Sequence, residues 1–480
     1  MLFNTVDFLI FLAAVMALYT GARNPLQRSV VLLLGSLFFY AMSSLGYLLL
    51  LLASLSVNYG FYRVLLKERS RAVMTLAVTV NLLSLGTCKY SVFLVENALR
   101  LRALFVPATG DVPPEWMHWA LPLGISFYTF HMLSVMIDVY RGHWTRAVPF
   151  RVWTLYVTFF PHMIAGPILR ASELVDQLQV LPPLRLDNVR LGTAIFVAGL
   201  FKKVLLADHL GPLVDEIFGR PESATPFVAW VGILAFSMQL YFDFSGYSEM
   251  AIGLARMFGV TLPRNFLYPY LACNPRDFWN RWHMTFSRWL RDYLYFSLGG
   301  NRGGFWRANW NLMLTMLIGG LWHGASWGFV FWGFLNGLFL MGHRVLNWCF
   351  AQLGLGEAWR RNPLWLLCGW MTTLALLAFS RSFFRAETWE DAWILVFAML
   401  GAPAASAEVL VVRKLHLALL GFSYLVMYVE PRLVKLAVAH DLVNRWARMP
   451  ILVRGAGYAA AVLVLAVFGG SAQNFVYFDF

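Results

Sequence analysis

Apolar residues in this chain come in long unbroken runs, separated by short polar links. Each run of about 18 residues can cross roughly 30 Å of hydrocarbon as a helix, and about ten to twelve qualify on that length. None alternates with the period of two that marks a barrel strand, so the pattern excludes a β-barrel and predicts an all-α polytopic membrane protein. Four helices open the chain, over Phe8–Tyr19, Val30–Met42, Leu45–Leu66 and Ala72–Val95. Glu96–Glu115 is polar, contains Pro113-Pro114 and reads as a loop. Leu121–Gly142 is the next helix and places His131 and Asp138 on one face.

Phe159–Arg170, FFPHMIAGPILR, is apolar yet holds Pro161, Gly166 and Pro167, which no helix accommodates. Broken backbone at membrane depth is tolerated only where protein or a water-filled cavity covers it. A re-entrant segment follows, with His162 as a candidate cavity residue. Val189–His209 reads as a helix interrupted by Lys202-Lys203, and Phe227–Phe258 carries Asp243, Ser245, Tyr247 and Glu249 inside an apolar run. Asp243 and Glu249 do not share a helix face cleanly, which argues against a glycosidase pair and for a polar cavity wall or a kink at Gly246. Further spans are expected near Leu364–Phe379, Leu415–Val429 and Ile451–Phe468. No internal repeat or long linker divides residues 1–480, so the chain reads as a single domain.

Composition agrees with the runs: 59% of residues are hydrophobic and 13% charged, with mean hydropathy +0.62. The net charge of +13 would suggest nucleic acid in a soluble protein. Here it is explained by Lys and Arg gathering in cytoplasmic loops, and no nucleic-acid partner is expected. Basic links after the first and third helices place the N-terminus outside. That terminus has no Lys or Arg before its apolar run, so it reads as an anchor and not as a signal peptide. Cys88, Cys273, Cys349 and Cys368 form no CxxC pair. They support neither a disulfide scaffold nor a metal site.

Candidate chemistry is concentrated between Arg276 and Gly337. RDFWNRWHMTFSRWLRDYLY holds His283 in a helix-like segment, where Trp279, Trp282, Phe286, Trp289 and Tyr293 form one stripe and Arg281, Arg288 and Asp292 lie opposite. Membrane anchoring explains the stripe but does not require the histidine. The arginines suit phosphates of a donor, an acidic carrier protein or lipid headgroups alike. LIGGLWHGASWGFVFWG then places His323 within an apolar run beside Gly319, Gly320, Gly324, Ala325 and Ser326. Small residues permit close helix packing or close approach of a substrate. A neutral imidazole is the usual base for a hydroxyl. Gly324–Gly328 also matches GxSxG, but a nucleophile elbow needs a strand–turn–helix that this run does not offer. A Walker A loop, GxGxxG and HExxH are all missing from the sequence, so ATP-driven transport and zinc hydrolysis have no support.

FWNRWHMTFSRWLRDYLY, GGNRGG and GGLWHGASWGFVFWG resemble the membrane-bound O-acyltransferase family, most closely its bacterial branch that serves alginate O-acetylation. LPLGISFYTFHMLSVMIDVYRG, FFPHMIAGPILR and QLYFDFSGYSEMAIGLA are similar to that branch too, so the likeness centres on residues 121–337. The resemblance implies a ring of tilted helices, with re-entrant and interfacial helices around a central funnel. It implies a multi-pass protein of the bacterial inner membrane, surrounded by lipid, that moves an acetyl group from a cytoplasmic thioester toward hydroxyls of an extracytoplasmic polysaccharide. An acyl-group conduit, or transfer to another envelope polymer, remains the alternative. His323 matches the family's invariant histidine and His283 its second one; these are the catalytic candidates. Asp243, Tyr247, His162, Arg281, Arg288, Trp322 and Ser326 are the candidates for binding substrate or donor. No bound cofactor or metal is implied, only acetyl-CoA or an acyl carrier protein as donor. A periplasmic acetyltransferase and polysaccharide secretion proteins are the implied partners, and the aromatic ending NFVYFDF is a candidate contact for them.

Overall fold

A computed structural model describes residues 1–105, 112–117, 121–354, 362–469 and 475–476. Every regular element among them is helical. Among the described residues, six helices are long and apolar enough to cross a membrane: Leu45–Lys67, Arg71–Ala103, Pro226–Met257, Trp327–Gln352, Pro363–Arg385 and Lys414–Ala439. Val6–Gly21, Pro25–Ala41 and Ile451–Leu465 are shorter apolar helices. The chain gathers into two compact units. The first comprises Met1–Val189, Leu254–Leu262 and Gly324–Ser326; the second comprises Arg190–Gly253, Pro263–His323 and Trp327–Phe480.

The first unit begins with α1 (Val6–Gly21), α2 (Pro25–Ala41), α3 (Leu45–Lys67) and α4 (Arg71–Ala103). Thr5, Asn24, Ser44 and Ser70 cap them, each side chain accepting a first-turn N–H. The fourth helix runs to Ala103, beyond the predicted Val95, because Glu96–Arg102 are adequate helix formers on an exposed face. The rest of the predicted loop includes 106–111, outside the described residues. Asn81 donates to Asn58 at 2.6 Å, joining α4 to α3 through a buried amide pair. After α5 (Ile125–Arg141) and α6 (Phe150–Thr158), residues 159–170 form turns without a helix and are buried almost throughout. Their backbone is satisfied by neighbours: the Tyr156 hydroxyl donates to Leu169 O at 2.8 Å, and Leu169 N–H donates to His131 Nε2 at 3.1 Å. His162, fully buried, faces Tyr156 O at 3.1 Å and packs edge-on against His131. Gly166 is required here, since a Cβ would lie 2.4 Å from His162 Cα. The unit's last helix is α7 (Ala171–Gln179).

The second unit is built around α10 (Pro226–Met257), the most buried of the spanning helices. Its neighbour α8 (Leu186–Phe201) approaches backbone to backbone. A Cβ on Gly199 would lie 2.5 Å from Gly246 O, and one on Gly253 would lie 2.5 Å from Gly192 O. The sequence allowed a kink at Gly246; the glycine serves this contact within a continuous helix. Past Phe201 the chain widens into a π-helical turn, Lys202–Ala207, before α9 (Asp208–Phe218). That turn brings both lysines to carboxylates. Lys203 lies 2.6 Å from Asp243 and 2.7 Å from Asp208. Lys202 is 2.6 Å from Glu249 and also pairs with Glu430.

The Trp-rich stretch is not one helix. It divides into α11 (Pro275–Trp279), a turn at 280–283, α12 (Met284–Trp289) and a π-helical turn, Leu290–Tyr295. The rings of the expected stripe are nonetheless all buried. α13 (Phe305–His323) ends on His323, and α14 (Trp327–Gln352) follows after a three-residue break. His323 is therefore at a helix end and not inside a span. The two helices cross in backbone contact: a Cβ on Gly320 would lie 2.3 Å from Phe329 O, and one on Gly333 would lie 2.4 Å from Met316 O. α15 (Pro363–Arg385), α16 (Trp389–Met399), α17 (Lys414–Ala439), α18 (Leu442–Arg448) and α19 (Ile451–Phe468) complete the unit.

Removing one member of a buried ion cluster strands the others without a counter-charge, at a cost of about 3–5 kcal/mol. Lys203→Met should therefore lower thermal stability of the detergent-solubilised protein steeply. Melting unchanged from wild type would contradict the described pairing.

Candidate active site

His283 and His323 reach one aromatic box in the second unit. His323, at the end of α13, is 4% exposed. Its ring meets Trp322 at 4.9 Å, Trp332 at 5.1 Å, Phe384 at 5.4 Å and Phe286 at 5.5 Å between centroids. His283 is fully buried, with Phe244 at 4.7 Å and Phe286 at 4.9 Å. Phe286 thus touches both imidazoles, and it stacks on Trp322 at 4.5 Å. The broken Trp-rich stretch supplies Phe286, and α10, α13, α14 and α15 supply Phe244, Trp322, Trp332 and Phe384. Trp282, just before His283, packs on Phe278 and Phe266.

Surroundings of this kind favour neutral imidazole. Burial pushes His283 down to about 3, so the ring stays uncharged near neutrality. Its Nδ1 lies 3.2 Å from Asn265 Oδ1. Two imidazoles in a mostly apolar box can exchange protons with a hydroxyl or thiol while excluding competing water.

Beside the box is a cavity of about 580 Å³, lined by Arg276, Arg288, Arg291 and Arg344 together with Trp279, Met284 and Met316. Met284 follows His283 directly, and Trp279 packs on Trp332, which touches His323. The cavity is strongly basic, and Met284 and Trp279 link its lining to the surroundings of the two histidines, neither of which lines it. Arg291 already holds Asp292 at 2.8 Å. Arg281, expected with this group, instead holds Asp277 at 2.8 Å one helical turn away.

The other candidates divide. Trp322 is part of the box. Asp243 is fully buried and engaged, with Lys203 on one side and Val476 N–H donating to Oδ2 at 2.8 Å. Tyr247 packs on Phe475 at 4.9 Å, and Phe475 also meets Phe244. Phe475 and Val476 of the aromatic tail therefore dock within their own chain, on α10, while residues 474 and 477–480 lie outside the described ones. His162 and Ser326 belong to the first unit. Ser326 is in the break after His323, with no strand before it.

Two residues were missed. Asn265 stands in a loop with no motif to mark it. Arg381 is 5% exposed on α15, donates to Ser237 Oγ at 3.0 Å, and lies over the rings of Tyr270, Phe278 and Trp282. An ionisable residue in an apolar span was the signal that would have found it.

A model of the membrane-bound O-acyltransferase family matches residues 116–397, which include both histidines, the basic cavity and the buried turns at 159–170. A probable alginate O-acetylase of Pseudomonas aeruginosa is 41% identical over 407 residues, covering 83% of this chain and 75% of the relative. A peptidoglycan O-acetyltransferase of Helicobacter pylori is 35% identical over 444 residues, covering 85% and 81%. A teichoic acid D-alanyltransferase of Bacillus subtilis is 29% identical over 275 residues, covering 53% and 65%. With a matched segment that holds the whole aromatic box, and relatives aligned over most of their length, this multi-pass membrane chain belongs to the membrane-bound O-acyltransferase family.

Proposed function

We propose that this protein O-acetylates an extracytoplasmic polysaccharide, alginate or a similar exopolysaccharide, from the bacterial inner membrane. The observation that carries the reading is the placement of His323 and His283 around Phe286, next to a cavity lined by four arginines. The names of the relatives at about 40% identity supply the acetyl group and the polymer.

In this reading an acetyl thioester enters from the cytoplasm with its phosphates on Arg276, Arg288, Arg291 and Arg344. Guanidinium groups suit phosphates because they donate two parallel hydrogen bonds. Both coenzyme A and the phosphopantetheine arm of a carrier protein carry such groups. His323 takes the proton from the acceptor hydroxyl, whose oxygen attacks the thioester carbonyl. The carbon–sulfur bond breaks, and the departing thiolate recovers the proton from the imidazolium, so no net proton is consumed. His283 is the second member, positioned to take up or relay that proton. Asp243 and Tyr247 contribute indirectly, by fixing α10 and the chain's C-terminal end. Where a periplasmic acetyltransferase acts with polysaccharide secretion proteins, that acceptor hydroxyl belongs to the partner, which passes the acetyl group on to a hydroxyl of the polymer.

His323→Ala should abolish polymer acetylation in cells while the protein still inserts; full acetylation by that variant would refute the role. Arg288→Ala should raise KM for the thioester donor about tenfold with kcat nearly unchanged, as expected for a lost charge-assisted phosphate contact. An unchanged KM for both acetyl-CoA and an acetylated carrier would remove the cavity as the donor site.

A further inference from the structure

Asn265 is 1% exposed, and its side-chain oxygen is met by three potential donors. Thr285 N–H donates at 3.2 Å, the Thr285 hydroxyl at 2.9 Å, and His283 Nδ1 lies at 3.2 Å. A backbone N–H can only donate, so the atom facing Thr285 is the oxygen of the amide and not its nitrogen. The amide nitrogen then faces Ser248 Oγ, at 3.3 Å, which accepts. Nothing about this orientation is left to choice. His283 Nδ1 therefore faces an acceptor and makes its hydrogen bond only when it carries the proton. In a neutral ring Nε2 then keeps the lone pair.

The same asparagine holds the backbone. His283 has φ +41°, in the left-handed region that costs a non-glycine residue about 1–2 kcal/mol. Such a conformation persists where neighbours over-determine it. Here Met284 N–H donates to Asn265 O at 2.9 Å, and Leu267 N–H donates to Arg281 O at 2.9 Å. The turn carrying the histidine is thus tied on both sides to the loop carrying the asparagine.

We propose that Asn265 is a positioning residue for the acyl transfer, fixing His283 with its proton on Nδ1 and its lone pair on Nε2 and fixing the strained turn that aims the ring into the aromatic box. This rests on the reading of His283 as a member of the catalytic pair. Asn265 acts through the histidine, as the group behind an imidazole commonly sets its tautomer.

The side chains stacked on His283 from α10, the preceding loop, α12 and α13 are Phe244, Phe266, Phe286 and Trp322, all uncharged. On α10 the charged groups are Asp243 and Glu249, each paired with a lysine, and Arg256 near its end. On α12 the charged group is Arg288, at the basic cavity; the preceding loop carries Arg264, which is exposed, and α13 brings the titratable His323 to the other side of Phe286. A carboxylate at position 265 would therefore be a new charge on the imidazole. It would favour the imidazolium and raise the pH below which the free base is lost.

The experiment compares Asn265→Asp, Asn265→Leu and His283→Gln in purified protein, measuring kcat, KM and the pH dependence of acetyl-CoA turnover. Asn265→Leu should lower kcat about 10–100-fold, the range for lost outer partners of a functional histidine, with KM within about twofold. Asn265→Asp should retain more activity than Asn265→Leu, with the acid limb of its profile moved upward by on the order of one pH unit. That shift would show that the group at 265 acts on His283; an acid limb left in place would mean that it does not. Wild-type kcat and pH profile in both Asn265 variants, with His283→Gln inactive, would overturn the positioning role alone. Full activity in His283→Gln would overturn the reading of His283 beneath it. If Asn265→Leu fails to fold, the profile of Asn265→Asp decides the matter.

Discussion

Lys203 held between Asp208 and Asp243 is the interaction on which the second unit's interior depends. A lysine and two carboxylates this deeply buried are tolerable only together. They can meet because Gly199 and Gly246 let α8 lie against α10 without intervening side chains, and because the π-helical turn after Phe201 swings the lysine inward. Asp243 then also takes the Val476 N–H, and the next residue, Phe244, packs on His283. An electrostatic cluster thus sets the position of one wall of the aromatic box.

The opposite wall is set by packing. Gly320 and Gly333 bring α13 and α14 into backbone contact immediately before His323, and the helix stops there. Phe286 and Trp322 then fill the space beside and between the two imidazoles. A mostly apolar lining keeps His283 uncharged, while the arginines line the neighbouring cavity where a charged donor would need them.

The sequence made the helical class legible because apolar runs of spanning length need no tertiary information. Both histidines were legible as well, since an imidazole among tryptophans or in an apolar run is chemically conspicuous. Helix breaks at 280–283 and 324–326 were not, because Asn, Arg, Trp and Ser are all acceptable in helices and only packing decides between the alternatives. The partners of Asp243 and Glu249 lie some forty residues away, beyond the reach of spacing arguments. Gly246 could be read as a kink or a contact, and only the neighbouring helix distinguishes them. Asn265 had no periodicity to mark it at all. Its importance comes from one oxygen facing Thr285 and His283, a fact of geometry alone.

The most direct test of the central claim is acetyl transfer from labelled acetyl-CoA to a small alcohol by the detergent-purified protein, with His323→Gln alongside. Turnover by the wild type and none by a folded His323→Gln protein is the predicted result. Equal turnover by both would contradict an imidazole base at the heart of the aromatic box.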